Sequence, residues 1–387
     1  MQASVSVGVA KDAPDQNEVP YNATQPRDPS AFHGQNSLHV TISNQAAVPD
    51  TLGIPGTGQP GSPVYHGGAG ARNRGLGNEG FHLLAGKDYE GYLYAIAPAP
   101  PPPQPGAPPP PPPLLEVSLE GDGQRILAAQ RFVVSRANWT KLSFSLTPNE
   151  TTSCSSGAGD PSVYCGTYEG LPSPGHACVK CGGGLKLRVL AGSMSIDFVM
   201  LMPGAWGRLH DKSGKPLPVL KSGADALRQM GTKAIRQGGS FVCDSGTGRN
   251  GNTPANASYY EWQKWTGLPE FRPSVGAHWV NSLISGWGPF EMIDLCNALD
   301  IEPIVSLTRI QSPSDMADFV EYLHGDGTTP MGKQRAADGH PAKYEGYWFE
   351  LGNEQTVPLF GSQVPTPPNI SVDPVTFPIN RLICRSR

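Results

Sequence analysis

Two polar residues, Asn353 and Glu354, follow the run Tyr347-Trp348-Phe349-Glu350-Leu351 after a single glycine. An aromatic, apolar run of that length reads as a strand, so the amide and the carboxyl stand at its C-terminal end. A carboxylic acid so placed can give a proton to a departing oxygen and later take one from water. Cleaving a glycosidic bond with retention uses that chemistry, with a second carboxyl about 5–5.5 Å away as nucleophile. The neighbouring Asn can hydrogen-bond a sugar hydroxyl. The plainer role for Glu354 is to cap the next helix. Of the 33 residues after it, only Asp373 carries a carboxylate side chain.

Four of the seven cysteines fall within residues 154–181. Cys178-x-x-Cys181 with Cys154 and Cys165 could form a four-thiolate zinc site. In a Ser/Gly-rich insertion, two disulfides are the preferred reading, with the pairing left open. Cys243, Cys296 and Cys384 read as unpaired, Cys296 within a helix's apolar face. Five Asn-x-Ser/Thr sequons, at Asn22, Asn138, Asn149, Asn256 and Asn369, agree with an oxidising exterior. The opening MQASVSVGVAKDAPDQ lacks the charged start and apolar run of a signal peptide. The expectation is an extracellular protein whose true start lies upstream of Met1.

The elements that must hold these residues follow from periodicity. Residues 1–75 are polar, Gly/Pro-rich and weakly patterned apart from a strand-like run at 37–42. Over 76–203, Leu115/Val117/Leu119, Phe132–Val134, Leu142/Phe144/Leu146, Leu185/Leu187/Val189 and Ile196/Phe198/Met200 suggest half-buried strands of an antiparallel sandwich. The proline run at 97–113 cannot donate strand hydrogen bonds and is expected to project as a polyproline spike. After residue 204 the pattern changes to a helix around 219–230, a strand at 233–236, a helix at 289–299 and a strand at 303–307. A further helix opens on Ser312-Pro313 with Asp315 in its first turn, its apolar face being Met316, Phe319, Val320 and Leu323. Strands alternating with helices indicate a parallel sheet, with functional side chains at the strands' C-terminal ends.

Hydrophobic residues make up 38% of the 387, and Gly (47) with Pro (41) exceed a fifth, so only part of the chain builds a core. A net charge of −4 without a basic run argues against nucleic acid or an anionic membrane as partner. No stretch approaches the length of a membrane span.

Arg335-Ala336-Ala337-Asp338-Gly339-His340-Pro341, followed by a strand ending in Gly352-Asn353-Glu354, resembles the segment before the acid/base in α-L-arabinofuranosidases of glycoside hydrolase family 51, especially the plant type. Other blocks resemble the same family in order. They are Gly286-Trp287-Gly288-Pro289-Phe290-Glu291, Trp262 ten residues before Arg272-Pro273, Arg236-Gln237-Gly238-Gly239-Ser240-Phe241, Ile196-Asp197-Phe198 with Leu201-Met202-Pro203-Gly204, and Asn138-Trp139-Thr140-Lys141-Leu142. The resemblance spans about residues 73–355. It implies that Glu354 is the acid/base, Asn353 its sugar-contacting neighbour, Arg236 a residue reaching the furanose, and Trp279 a wall for the sugar. For Arg236 a strand-end salt bridge is the plain alternative, for Trp279 loop packing. Glu350 and His340 read as structural. No metal or organic cofactor is implied.

The fold expected is a carbohydrate-binding-like β-sandwich (76–203) plus a partial (β/α)8 TIM barrel (204–355) containing strands two to four only. An irregular region (1–75) precedes them and an irregular tail (356–387) follows. The missing strands would include the nucleophile, which leaves the site incomplete. The reaction implied is retaining removal of terminal α-L-arabinofuranosyl units from an arabinose-containing polysaccharide or glycoprotein. A non-catalytic carbohydrate-binding or matrix protein, and a heparanase-like glycosidase, are the alternatives.

Overall fold

The computed structural model describes residues 3–9, 36–42, 48–49, 63–64, 68–75, 79–99, 102, 111–156, 167–168, 171–172, 179–239, 261–272, 275–277, 280–283, 286–307, 311–344, 348–351 and 383–385. The chain divides into two units, one of residues 1–11 and 27–206, the other of 12–26 and 207–387.

The first unit is built from β1 (Ala3–Val9), β2 (Asn36–Ile42), β3 (Ala69–Asn73), β4 (Tyr89–Ile96), β5 (Leu114–Glu120), β6 (Ile126–Val133), β7 (Thr140–Leu146), β8 (Gly184–Ala191) and β9 (Ser193–Pro203). They form two antiparallel sheets, ordered β1-β2-β9-β4-β7 and β3-β8-β5-β6. Leu115, Val117 and Leu119 from one sheet share a core with Leu93, Leu142, Phe144 and Leu146 from the other. This is the sandwich that the alternation implies. The region expected to be irregular, residues 1–75, contributes β1, β2 and β3 to it. Most of the proline run, which joins β4 to β5, lies outside the described residues.

Two details of the sandwich depart from simple alternation. On β5 the outward residues Glu116, Ser118 and Glu120 are as fully buried as the inward leucines. Arg131 (3.0 Å) and Arg188 (2.7 Å) flank Glu116, while Arg72 (2.8 Å) and Lys186 (2.6 Å) flank Glu120. Their stems cover the sheet and their charges pair the carboxylates. On β9 the register slips between Asp197 and Met200, and Phe198 adopts φ +46°. That bulge breaks the expected Ile196/Phe198/Met200 face. Ile196 is in the core, whereas Phe198 stacks on Tyr92 with ring centroids 6.1 Å apart.

The second unit contains β10 (Arg208–His210), β11 (Pro216–Leu220), α1 (Lys221–Gln229), β12 (Ala234–Gln237), α2 (Pro289–Leu299), β13 (Glu302–Leu307), α3 (Pro313–His324), α4 (Pro330–Ala337), β14 (Trp348–Leu351) and β15 (Ile383–Arg385). β12, β13 and β14 pair in parallel, Gln237 opposite Val305 and Leu307 opposite Leu351. Helix α2 connects the first two strands, and α3 with α4 the next two. The tail, expected to be irregular, supplies β15, which pairs antiparallel with β14. Helix α3 begins as expected, the Ser312 hydroxyl accepting from Asp315 N while the Asp315 carboxylate accepts from Ser312 N. Its apolar face is turned from expectation, since Val320 is 40% exposed and Tyr322 is buried beside Phe319 and Leu323. Trp262 and Phe290 draw Tyr322 inward, with ring centroids 5.4 and 5.0 Å away.

Candidate active site

Pleating sends alternate residues of the parallel strands to opposite faces. Ile235, Val305 and Phe349 join the core that α2 and α3 complete. Arg236, Ser306 and Glu350 occupy the other face and meet there. Glu350, 3% exposed, accepts on one carboxylate oxygen from Arg236 Nε and from the Ser306 hydroxyl at 2.7 Å. A buried carboxylate needs such partners, because desolvating an unpaired charge is costly. Directly after β12 the chain turns through Gly238 (φ +122°) and Gly239 (φ +52°), backbone angles that a side chain disfavours. A Cβ on Gly239 would come within 3.2 Å of an Arg236 terminal nitrogen.

Other motif residues form a scaffold among the helices. Arg272, 5% exposed, donates to Glu291 (2.5 Å) and to the Gly267 carbonyl. Glu291 in turn accepts from Gly288 N at 2.8 Å, which fixes the start of α2. Trp262 donates its indole N–H to the Asp315 carbonyl. Arg335, 1% exposed, donates to the carbonyls of Tyr322, Leu323, His340 and Pro341. It thereby ties α4 to the end of α3 and to the following turn. His340 stacks on Tyr344 at 3.9 Å and lies 3.2 Å from Asp294. Burial alone would lower its pKa, but the hydrogen bond and charge of Asp294 and the bond to the Ala342 carbonyl leave it raised. Cys296 is a fully buried core residue, and burial, then nearby Glu302, pushes its thiol up to about 12.

Of the residues singled out in the sequence, Arg236 lies on this face, paired with Glu350. Asn353, Glu354 and Trp279 lie outside the described residues; Glu354 is three positions past the end of β14. Cys154 and Cys181 form a disulfide in the sandwich unit, so those two sulfurs are bonded to each other. Cys165 and Cys178 lie outside the described residues. Among the described residues, no cluster of three His, Cys, Asp or Glu could hold a metal ion. None of their helices is long and apolar enough to cross a membrane. Helix α4, whose last turn enters the Arg335–Pro341 block, was not legible as a helix, although Thr329-Pro330 is a start signal.

Residues 226–362 match the family model of the alpha-L-arabinofuranosidase 1 domain, a stretch that includes β12 to β14 and Glu354. This stretch is arabinofuranosidase-like. A curated intracellular exo-alpha-L-arabinofuranosidase of Bacteroides ovatus is 31% identical over 101 residues, 25% of this chain and 20% of that protein. The arabinose-bound structure of a family 51 α-L-arabinofuranosidase is similar in fold, with a TM-score of 0.57 at 16% identity over 91% of this chain. The chain spans 47% of that structure. The Thermotoga maritima α-L-arabinofuranosidase in complex with arabinose matches 35% of this chain and 25% of its own, at 24% identity and a TM-score of 0.28. The arabinofuranosidase-like stretch thus contains all four carbohydrate-site candidates, Arg236, Trp279, Asn353 and Glu354.

Proposed function

We propose that this chain carries the acid/base, Glu354, of a glycoside hydrolase acting with retention on terminal α-L-arabinofuranosyl units of cell-wall or matrix glycans, a site that residues 204–355 leave without its nucleophile. The observation that carries the proposal is the family match over residues 226–362, which contains the Gly352-Asn353-Glu354 step after the third parallel strand. Three parallel strands with intervening helices are consistent with strands two to four of a (β/α)8 barrel. In that reading the face bearing Arg236, Ser306 and Glu350 is the barrel interior. Glu354 protonates the leaving oxygen while a carboxylate nucleophile, which in this reading belongs to barrel strands other than those within residues 204–355, takes the anomeric carbon; Glu354 then activates the water that cleaves that glycosyl ester. Asn353 binds a sugar hydroxyl, Arg236 reaches the furanose, and Trp279 walls it. The substrate is an arabinose-containing polysaccharide or glycoprotein. An extracellular location is supported by the Cys154–Cys181 disulfide and the sequons.

The test uses phenyl α-L-arabinofuranoside, whose poor leaving group needs protonation. It is assayed with the chain alone and with formate added as an external carboxylate nucleophile. The chain alone is expected to show no turnover, and turnover with formate is expected to fall by about 10²–10⁴-fold in Glu354→Gln. Turnover indifferent to that change, or absent in both conditions, would overturn the proposal.

A further inference from the structure

The sandwich unit ends on one side in a long, regular strand. Strand β7 is last in its five-stranded sheet and pairs only with β4 among the described residues. Its 7 residues contain no proline, and their register against β4 runs without a bulge. Leu142, Phe144 and Leu146 point into the core, while Lys141, Ser143 and Ser145 are exposed on the other face. Lys141, the strand's one charge, lies over the Tyr92 ring at 3.8 Å, so it reaches back across β4 rather than out along the edge. A regular edge strand is a template for pairing with another chain, and proteins blunt such edges with prolines, bulges, charges or a cover. Among the described residues β7 has none of the first three along its edge.

Two of the five Asn-x-Ser/Thr sequons bracket this strand. Asn138-Trp139-Thr140 opens it, and Asn149-Glu150-Thr151 follows its end. Asn22, Asn256 and Asn369 lie outside the described residues. Asn138 and Asn149 are both exposed, and neither side chain makes a hydrogen bond among the described residues. Their backbones are held instead. Asn149 N donates to the Leu127 carbonyl at 3.2 Å, and the Asn138 carbonyl accepts from the Thr140 hydroxyl at 3.1 Å. Glu150 pairs with Arg125 through both oxygens (2.9 and 2.6 Å), and the Thr151 hydroxyl accepts from Ala85 N at 3.0 Å. The residues after Asn149 are thus engaged with the protein, and its amide is left to solvent.

We infer that Asn138 and Asn149 are N-glycosylation sites whose glycans stand at the two ends of β7 and keep other chains from pairing with its edge. The sugar donor is a lipid-linked oligosaccharyl pyrophosphate. The bond from sugar C1 to the pyrophosphate oxygen breaks, a bond from C1 to the asparagine Nδ2 forms, and the amide gives up one proton as the lipid pyrophosphate departs. A glycan is bulky and hydrated, so a strand cannot approach beside it. The 7 residues of β7 span roughly 23 Å, which calls for a glycan at each end rather than at one. The inference rests on the extracellular reading, because the transfer belongs to the same secretory route that forms the Cys154–Cys181 disulfide. It does not depend on the proposed hydrolysis.

Mass analysis of peptides from the protein isolated from its natural source tests it. Glycan is expected on both Asn138 and Asn149, and the same digest, left unreduced, is expected to contain Cys154 linked to Cys181. Asn138→Gln with Asn149→Gln, or enzymatic trimming of the glycans from the folded protein, is expected to shift its sedimentation profile towards larger species. Trimming needs no substitution, so a variant that folds badly cannot mimic the shift. Bare Asn138 and Asn149 beside an intact disulfide would overturn the inference and leave the extracellular reading in place. Bare asparagines with reduced cysteines would overturn both. A glycan on one asparagine alone, or trimmed protein that sediments as the parent does, would overturn the shielding of the edge.

Discussion

Arg236 and Glu350 form an ion pair that reaches across β13, and the Ser306 hydroxyl of that strand donates to the same carboxylate oxygen. Three adjacent parallel strands are thus joined by side chains as well as by their backbone ladder. The two partners differ in exposure, with 30% of the Arg236 side chain open and 3% of the Glu350 side chain.

That asymmetry predicts unequal costs. Arg236→Ala takes the charge partner away from a buried carboxylate, and is expected to destabilise by about 3 kcal/mol. Glu350→Ala leaves a cation that can turn to water, and is expected to cost less. In a double-mutant cycle by urea unfolding, the two changes should be markedly less than additive. Additive costs would show that the pair contributes nothing as a pair.

The sequence made this sheet legible but not the pair within it. Apolar runs at 303–307 and 347–351, and the start signal Ser312-Pro313, mark elements by local chemistry that the structure reproduces within a residue or two. Arg236 and Glu350 lie 114 positions apart, and nothing local says that they meet. The same limit explains Val320, where helical spacing alone cannot tell which flank of α3 finds aromatic neighbours. On β5 the buried Glu116 and Glu120 read as a solvent face, because the arginines and the lysine that cover them come from three other strands. The bulge at Phe198 was hidden for a related reason, since a positive φ in a bulky residue is set by the partner strand's register. Of the carbohydrate-site candidates, the strand end that leads to Glu354 was visible in the sequence as an aromatic run.

His340 gives a pH signature. Its pKa is raised in the folded chain, where Asp294 and the Ala342 carbonyl outweigh burial. A histidine raised on folding adds stability that is complete below its unfolded value, near about 6.5, and that is lost as pH rises through the higher folded value. Urea midpoints are therefore expected to decline across that interval. Asp294→Asn should flatten the decline and lower the midpoint mainly on the acidic side. A slope unchanged by Asp294→Asn would assign the pH dependence to another group.

Arg335 separates scaffold from chemistry within the motif block. Its guanidinium donates to four backbone carbonyls while the side chain is 1% exposed, so it acts as a buried bracket between α3, α4 and the Gly339-His340-Pro341 turn. Lysine keeps the charge but has neither the planar fork nor the reach to satisfy acceptors on several sides. Arg335→Lys should leave at least one buried carbonyl unpaired, at about 1–3 kcal/mol for each. Arg335→Met, which removes the charge as well, leaves all four without this donor and should be the more damaging of the two. The measurement is the urea midpoint of each variant, with the Cys154–Cys181 disulfide intact so that the sandwich unit serves as an internal reference. A midpoint for Arg335→Lys equal to that of the parent would mean that water or neighbouring donors replace the bracket, and that the motif arginine is held for another reason.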